Sequence, residues 1–162
     1  MIGFNVSEAG HIVNLIPPVD GNNGAPVTAQ GFTMAGWDHV SIIIQIGVST
    51  AAPTSIKLVS STAASAGTTT ALAFRYYSQT TAGASHDVVT GPTLAVAATG
   101  IATPSANDNI FYTIELDSSE LPDGQPYLQL QFTNPATSCL QSAVAILSAG
   151  RQQFQGSPTV TA

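Results

Sequence analysis

Tyr127-Leu128-Gln129-Leu130-Gln131-Phe132-Thr133 alternates strictly between polar and apolar side chains. Tyr127, Gln129, Gln131 and Thr133 fall on one side, and Leu128, Leu130 and Phe132 on the other. A period of two is the mark of a half-buried β-strand. Turn chemistry brackets it. Pro122-Asp123-Gly124 precedes it, with proline presetting φ and glycine supplying a positive φ. Asn134-Pro135 follows it.

The same reading extends outward along the chain. Residues 110–116 place Ile110, Tyr112, Ile114 and Leu116 on one face. Residues 142–148 form another apolar strand. Residues 39–47 are rich in β-branched side chains, which suit a pleated surface. Residues 55–60 put Ile56 and Leu58 opposite Lys57. Residues 69–77 read as one strand with Thr70, Leu72, Phe74 and Tyr76 toward the core. Val88-Val89 and residues 93–97 read as two short strands, with Gly91-Pro92 as a loop. Seven or eight strands at this spacing, punctuated by 14 glycines and 10 prolines, predict an all-β fold. The expected architecture is a single β-sandwich or jelly-roll-like domain.

Residues 1–36 differ from this pattern. They hold Pro17-Pro18, Asp20-Gly21-Asn22-Asn23-Gly24 and Pro26. A double proline does not fit a central strand. This section is therefore expected to be an extended arm or loops, with one short strand near residues 12–15. Residues 37–150 make the sandwich, and residues 151–162 a polar tail. No fixed-period repeat and no interdomain linker is visible.

Charge narrows the partners. Among 162 residues only three are basic (Lys57, Arg75, Arg151) and nine acidic, giving a net charge of −6. That is 7 % charged residues, against about 25 % in ordinary domains. Ala, Ser and Thr together supply roughly a third of the chain. Three cations cannot neutralise a run of phosphates, so nucleic acid is excluded as a partner. A polybasic membrane-binding surface is absent too. The most apolar stretch, residues 40–48, is broken by Ser41 and Gln45 and is far short of the roughly twenty residues that span a bilayer. The first residues carry no secretory signature, so synthesis and folding in a cytoplasm are expected. Cys139 is the single cysteine, so an intrachain disulfide and a cysteine-built zinc site are both ruled out.

Few residues suggest chemistry. Ser85-His86-Asp87 sets three triad residue types side by side, but a triad is assembled in space with the base bridging the other two. Neighbours in a loop do not achieve that. His11, His39 and His86 are not at metal-ligand spacing from one another. Asp38-His39 beside Trp37 could edge a site, though a strand start is the plainer reading. Asp117, Glu120 and Asp123 form an acidic cluster of the kind that can hold Ca²⁺. Their spacing does not match an EF-hand loop, and a solvated turn is the plainer reading. No catalytic residue and no cofactor is expected. Phe4, Phe32 and Phe154 lie outside the confident strands, where aromatics often anchor a partner surface. With Ile12, Val13, Leu15 and Ile16 of the arm, they are the candidate contacts to a partner or a sister subunit.

Four segments carry a resemblance. Trp37-Asp38-His39-Val40-Ser41-Ile42-Ile43-Ile44-Gln45-Ile46-Gly47-Val48 resembles the opening strand of small β-rich virion proteins of tailed bacteriophages. Leu72-Ala73-Phe74-Arg75-Tyr76-Tyr77 resembles their middle strand. The run from Ile114 through Asp117, Glu120 and Pro122-Asp123-Gly124 to Tyr127-Leu128 resembles their acidic turn and the strand after it. Val144-Ala145-Ile146-Leu147 before Arg151 resembles their closing strand. The chain departs from the pattern at its end, where Gln152-Gln153 separate Arg151 from Phe154. The resemblance implies a capsid decoration, or cement, protein. Such a protein is a β-sandwich on the outside of a phage head, often a homotrimer, whose partners are the major capsid protein and copies of itself. It implies a place on the virion and no catalytic residues. A receptor- or carbohydrate-binding module of a phage fibre or tail would share the composition, but should show aromatic platforms. A sandwich hydrolase would need converging titratable groups, and a shell or tail-tube subunit would carry more charge.

Overall fold

The computed structural model describes residues 6, 10–21, 26–50, 53–65, 67–79, 88–103, 109–133 and 138–150. Twelve strands lie within them: β1 (Gly10–Asp20), β2 (Val27–Thr28), β3 (Phe32–Thr33), β4 (Trp37–Ser49), β5 (Ser55–Ser61), β6 (Thr69–Ala71), β7 (Phe74–Gln79), β8 (Val89–Ala95), β9 (Ile101–Ala102), β10 (Ile110–Asp117), β11 (Tyr127–Phe132) and β12 (Cys139–Gly150). A single 3₁₀ turn, Ser118–Glu120, follows β10. Eight of the strands run six residues or more, in line with the number expected.

The strands form two antiparallel sheets. The larger is ordered β1-β12-β4-β10-β7-β8. The smaller is ordered β2-β11-β5-β6, with β3 also on β11 and β9 also on β5. Alternation decides what each sheet turns inward. Val40, Ile42, Ile44 and Ile46 of β4 are buried, as are Ile110, Tyr112, Ile114 and Leu116 of β10. They face Ile56 and Leu58 of β5 and Leu128, Leu130 and Phe132 of β11, all in one apolar cluster. This is the expected all-β sandwich, with the core between its sheets.

Residues 10–20, expected in an arm, are the edge strand of the larger sheet. β1 pairs with β12 from Gly10↔Ser148 to Asp20↔Leu140. Its prolines Pro17 and Pro18 sit on this edge, beside register shifts between Asn14, Ile16 and Val19. An edge strand tolerates a missing N–H, and a bulge absorbs the misfit. Asp20 ties the strand end down: its carboxylate accepts from the Cys139 N–H at 2.8 Å and the Ser138 hydroxyl at 2.6 Å. Further along, Val27–Thr28 and Phe32–Thr33 pair with β11. These parts of the arm lie on their own sandwich because their apolar side chains complete its core.

Two other expectations are corrected. Residues 69–77 are two strands in different sheets: β6 pairs with β5 and β7 with β10. The chain crosses between sheets at Leu72-Ala73. Leu72 and Phe74 are buried as expected, but Thr70 is exposed. Residues 89–95 are one strand that runs through Gly91-Pro92. That is possible because β8 is the other edge of the larger sheet.

Candidate functional site

The residues proposed from sequence as partner contacts divide sharply. Val13, Leu15, Ile16 and Phe32 are buried in the chain's own core, Phe32 completely. They cannot also present themselves to a partner, so for these four the expectation is corrected. Alternation along β1 explains the split: Ile12 is 54 % exposed while Val13 is buried. Phe4 and Phe154 lie outside the described residues, as do Ser85, His86 and Asp87.

The polar cluster that the fold does assemble is on the outer face of the larger sheet. β4 and β10 pair with His39 opposite Asp117 and Ser41 opposite Glu115. The inward positions of both strands are apolar, so these four side chains share the outward face. His39 Nδ1 lies 2.7 Å from Asp117 Oδ1, and its Nε2 lies 2.6 Å from Glu115 Oε2. Ser41 donates its hydroxyl to the same Glu115 oxygen at 2.7 Å. Both ring nitrogens thus meet carboxylates, a geometry satisfied fully only by imidazolium, which donates from both. Partial burial by itself lowers the His39 pKa, but the hydrogen bonds and charges of Asp117 and Glu115 outweigh it and raise the pKa above the ordinary 6.5.

A shallow cleft of about 260 Å³ adjoins the cluster, lined by His39, Arg75, Tyr77, Glu115, Leu116, Asp117 and Glu120. Ser41, His39 and Asp117 stand in triad order, yet the connectivity is wrong for acyl transfer. Ser41 Oγ is 3.5 Å from His39 Nε2 and donates to Glu115 instead. Glu115 therefore occupies the position from which histidine would activate the serine. The backbone around them is committed to pairing among β12, β4, β10 and β7. The arrangement sets one imidazole between two carboxylates on the outer face of the sheet.

The three carboxylates considered for Ca²⁺ do not converge. Asp117 turns to His39, while Glu120 accepts the Asp117 backbone N–H at 2.9 Å and caps the 3₁₀ turn. Asp123 lines a separate cleft of about 340 Å³ with Met34, Gly36, Leu121, Pro122 and Pro126. Among the described residues no group of three His, Cys, Asp or Glu side chains is placed to hold a metal ion.

Sequence reading singled out His39 and Asp117 separately and did not join them. Ser41 and Glu115 carry no signal of their own in the sequence, where each falls inside a strand. The signal available was parity: 39 and 41 share a face, and so do 115 and 117. Joining the pairs needed the β4–β10 register.

Comparison with known protein families and with curated proteins finds no match. Among solved structures the chain is similar to one described as the crystal structure of SPBc2 prophage-derived protein YomS. The TM-score is 0.47 and the identity 13 %, over 85 % of this chain and 92 % of that one.

Proposed function

We propose that this chain is a structural virion protein of a tailed bacteriophage, which binds the outer surface of the head and cements neighbouring major capsid subunits. Its role is adhesive and mechanical rather than catalytic. On this reading it is made in the host cytoplasm, associates with copies of itself, for which the resemblance implies three, and ends on the capsid surface.

One observation carries the reading. The four segments that resemble phage virion proteins include four neighbouring strands of one sheet, β12, β4, β10 and β7, and the third segment runs on into β11 of the other sheet. The acidic turn between β10 and β11 joins that sheet to the other. A resemblance that is scattered through the sequence is thus one contiguous surface and core in space. The shortage of charge supports it further. Charged residues are depleted in the cores of protein interfaces. Several weak contacts per assembly suffice for a decoration protein, because multivalency multiplies them.

The test is quantitative mass spectrometry of purified virions from a phage that encodes this chain. Hundreds of copies per particle are expected. A handful would move the protein to a tail or fibre tip, where a glycan array becomes the next measurement, and none would end the virion reading.

A further inference from the structure

Glu115 stands between two alternative partners. On the central strand β10 it lies opposite Ser41 of β4 on one side and opposite Arg75 of β7 on the other. Directly opposed side chains of an antiparallel pair are about 4.5–5.5 Å apart at Cβ, within reach of an ion pair. Yet Glu115 commits its carboxylate to the β4 side. One oxygen lies 2.6 Å from His39 Nε2 and 2.7 Å from Ser41 Oγ. Among the described residues the ion pairs are those of His39 with Glu115 and with Asp117. Arg75 thus has a carboxylate directly across from it and makes no ion pair with it.

The groups around His39 come from five elements. Asp117 and Glu115, both on β10, hydrogen-bond the imidazole and act on its charge. Arg75 and Tyr77 of β7 and Glu120 of the 3₁₀ turn line the same cleft. β12 sets the uncharged Ser148 opposite His39, and Asp38 precedes it on β4. The two carboxylates differ in what else they can reach. The pairing of β7 with β10 runs from Phe111 to Glu115, so no β7 residue is paired with Asp117.

The proton on His39 decides how these partners are shared. Imidazolium donates from both ring nitrogens and holds both carboxylates. Neutral imidazole keeps one N–H and turns a lone pair toward the other carboxylate. One carboxylate must then leave, and Glu115 is the one with a cation opposite it. Its side chain is 34 % exposed, which leaves it room to turn. Its departure frees the Ser41 hydroxyl, 3.5 Å from His39 Nε2, to donate to that nitrogen. The Nδ1–H stays with Asp117. His39, Ser41, Asp117 and Glu115 have partners in both arrangements.

We propose that this cluster is a proton-controlled switch, in which Glu115 is held by His39 and Ser41 while the imidazole is charged and turns to Arg75 once it is neutral. The output of the switch is Arg75, one of three basic side chains in the chain. In the charged state its guanidinium is open to a carboxylate outside the chain. In the neutral state Glu115 occupies it. The exchange falls above pH 6.5, because the two carboxylates delay the loss of the proton.

Nuclear magnetic resonance of the full chain, titrated from about pH 5 to about pH 9 across the histidine range, tests the proposal. Ring nitrogen shifts identify the tautomer of neutral His39. The Nδ1–H form is expected, donating to Asp117 and accepting from Ser41. The Arg75 Nε–H resonance should shift with the same midpoint as the His39 ring. In His39→Gln that midpoint should vanish from the Arg75 resonance. Arg75→Gln, at an exposed position, should raise the His39 midpoint, because the neutral state loses its partner for Glu115. A neutral Nε2–H tautomer would overturn the proposal. So would an Arg75 resonance that ignores the His39 titration, one that titrates unchanged in His39→Gln, or an unmoved His39 midpoint in Arg75→Gln. Far-UV circular dichroism checks the fold of both variants. If either is unfolded, the wild-type tautomer and the Arg75 midpoint decide alone. The switch is a property of the isolated chain, so the copy number in virions bears on none of these results.

Discussion

His39 shows how one side chain couples the fold to pH. Its native pKa lies above 6.5 because two carboxylates favour imidazolium more than partial burial opposes it. A raised pKa means that the native state binds the proton more tightly than the unfolded chain does. The stabilisation is complete below pH 6.5 and is lost as pH rises through the raised native value. The effect is modest, up to about 1 kcal/mol, since exposed pairs are screened. Melting temperatures of wild type and His39→Gln should converge above that value and separate below it; parallel curves would refute the assignment. Gln141 illustrates a different balance. It is buried, and neither polar atom of its amide has a hydrogen-bond partner. An unsatisfied buried group costs about 1–3 kcal/mol. Gln141→Met should therefore raise the free energy of unfolding in urea by roughly 1 kcal/mol. Phe32 and Ile12 supply a contrast. Phe32→Ala should cost about 3–5 kcal/mol in the isolated chain, while Ile12→Ala should stay within about 0.5 kcal/mol, as exposed positions do.

Strands and turns carry their own constraints. β1 brings Val13, Leu15 and Ile16 into the core and covers the edge of β12. Three buried aliphatic side chains are worth about 1.5–3 kcal/mol each, comparable to the whole stability of an average domain, about 5–15 kcal/mol. Deleting residues 1–24 should thus abolish cooperative unfolding by circular dichroism, whatever it does to binding. A truncated chain with a normal melting transition would show that β1 is dispensable. Gly100 constrains the chain at the entry to β9. Its φ is +65°, and a Cβ there would come within 2.1 Å of the Ile56 carbonyl oxygen. Gly100→Ala combines a strained backbone with a clash against a paired strand. It should destabilise by more than about 1 kcal/mol, measurable as a lower urea midpoint. The β6–β7 crossing makes a related point. Residues 69–77 alternate as one strand would, yet Thr69–Ala71 and Phe74–Gln79 belong to opposite sheets. Alternation survives a step between sheets because both halves still turn Leu72 and Phe74 inward.

At the scale of the molecule, two sheets enclose one apolar cluster, and the outer face of the larger sheet gathers His39, Ser41, Glu115 and Asp117 where β4 meets β10. Much of this molecule was legible in its sequence. Strict alternation in residues 127–133 and 110–116 determined strands, and the same parity determined which side chains enter the core. The low charge leaves only three basic side chains to meet a polyanion. Parity is a local property, dictated by backbone geometry one residue at a time, so a single chain reveals it. Pairing is not local. His39 and Asp117 are 78 residues apart, and only the β4–β10 register makes them neighbours. The proline-marked start of the chain looked like an arm because its composition is that of a loop. Its place as an edge strand was decided by the vacant edge of β12 and the room left in the core, which exist only once the other strands have assembled.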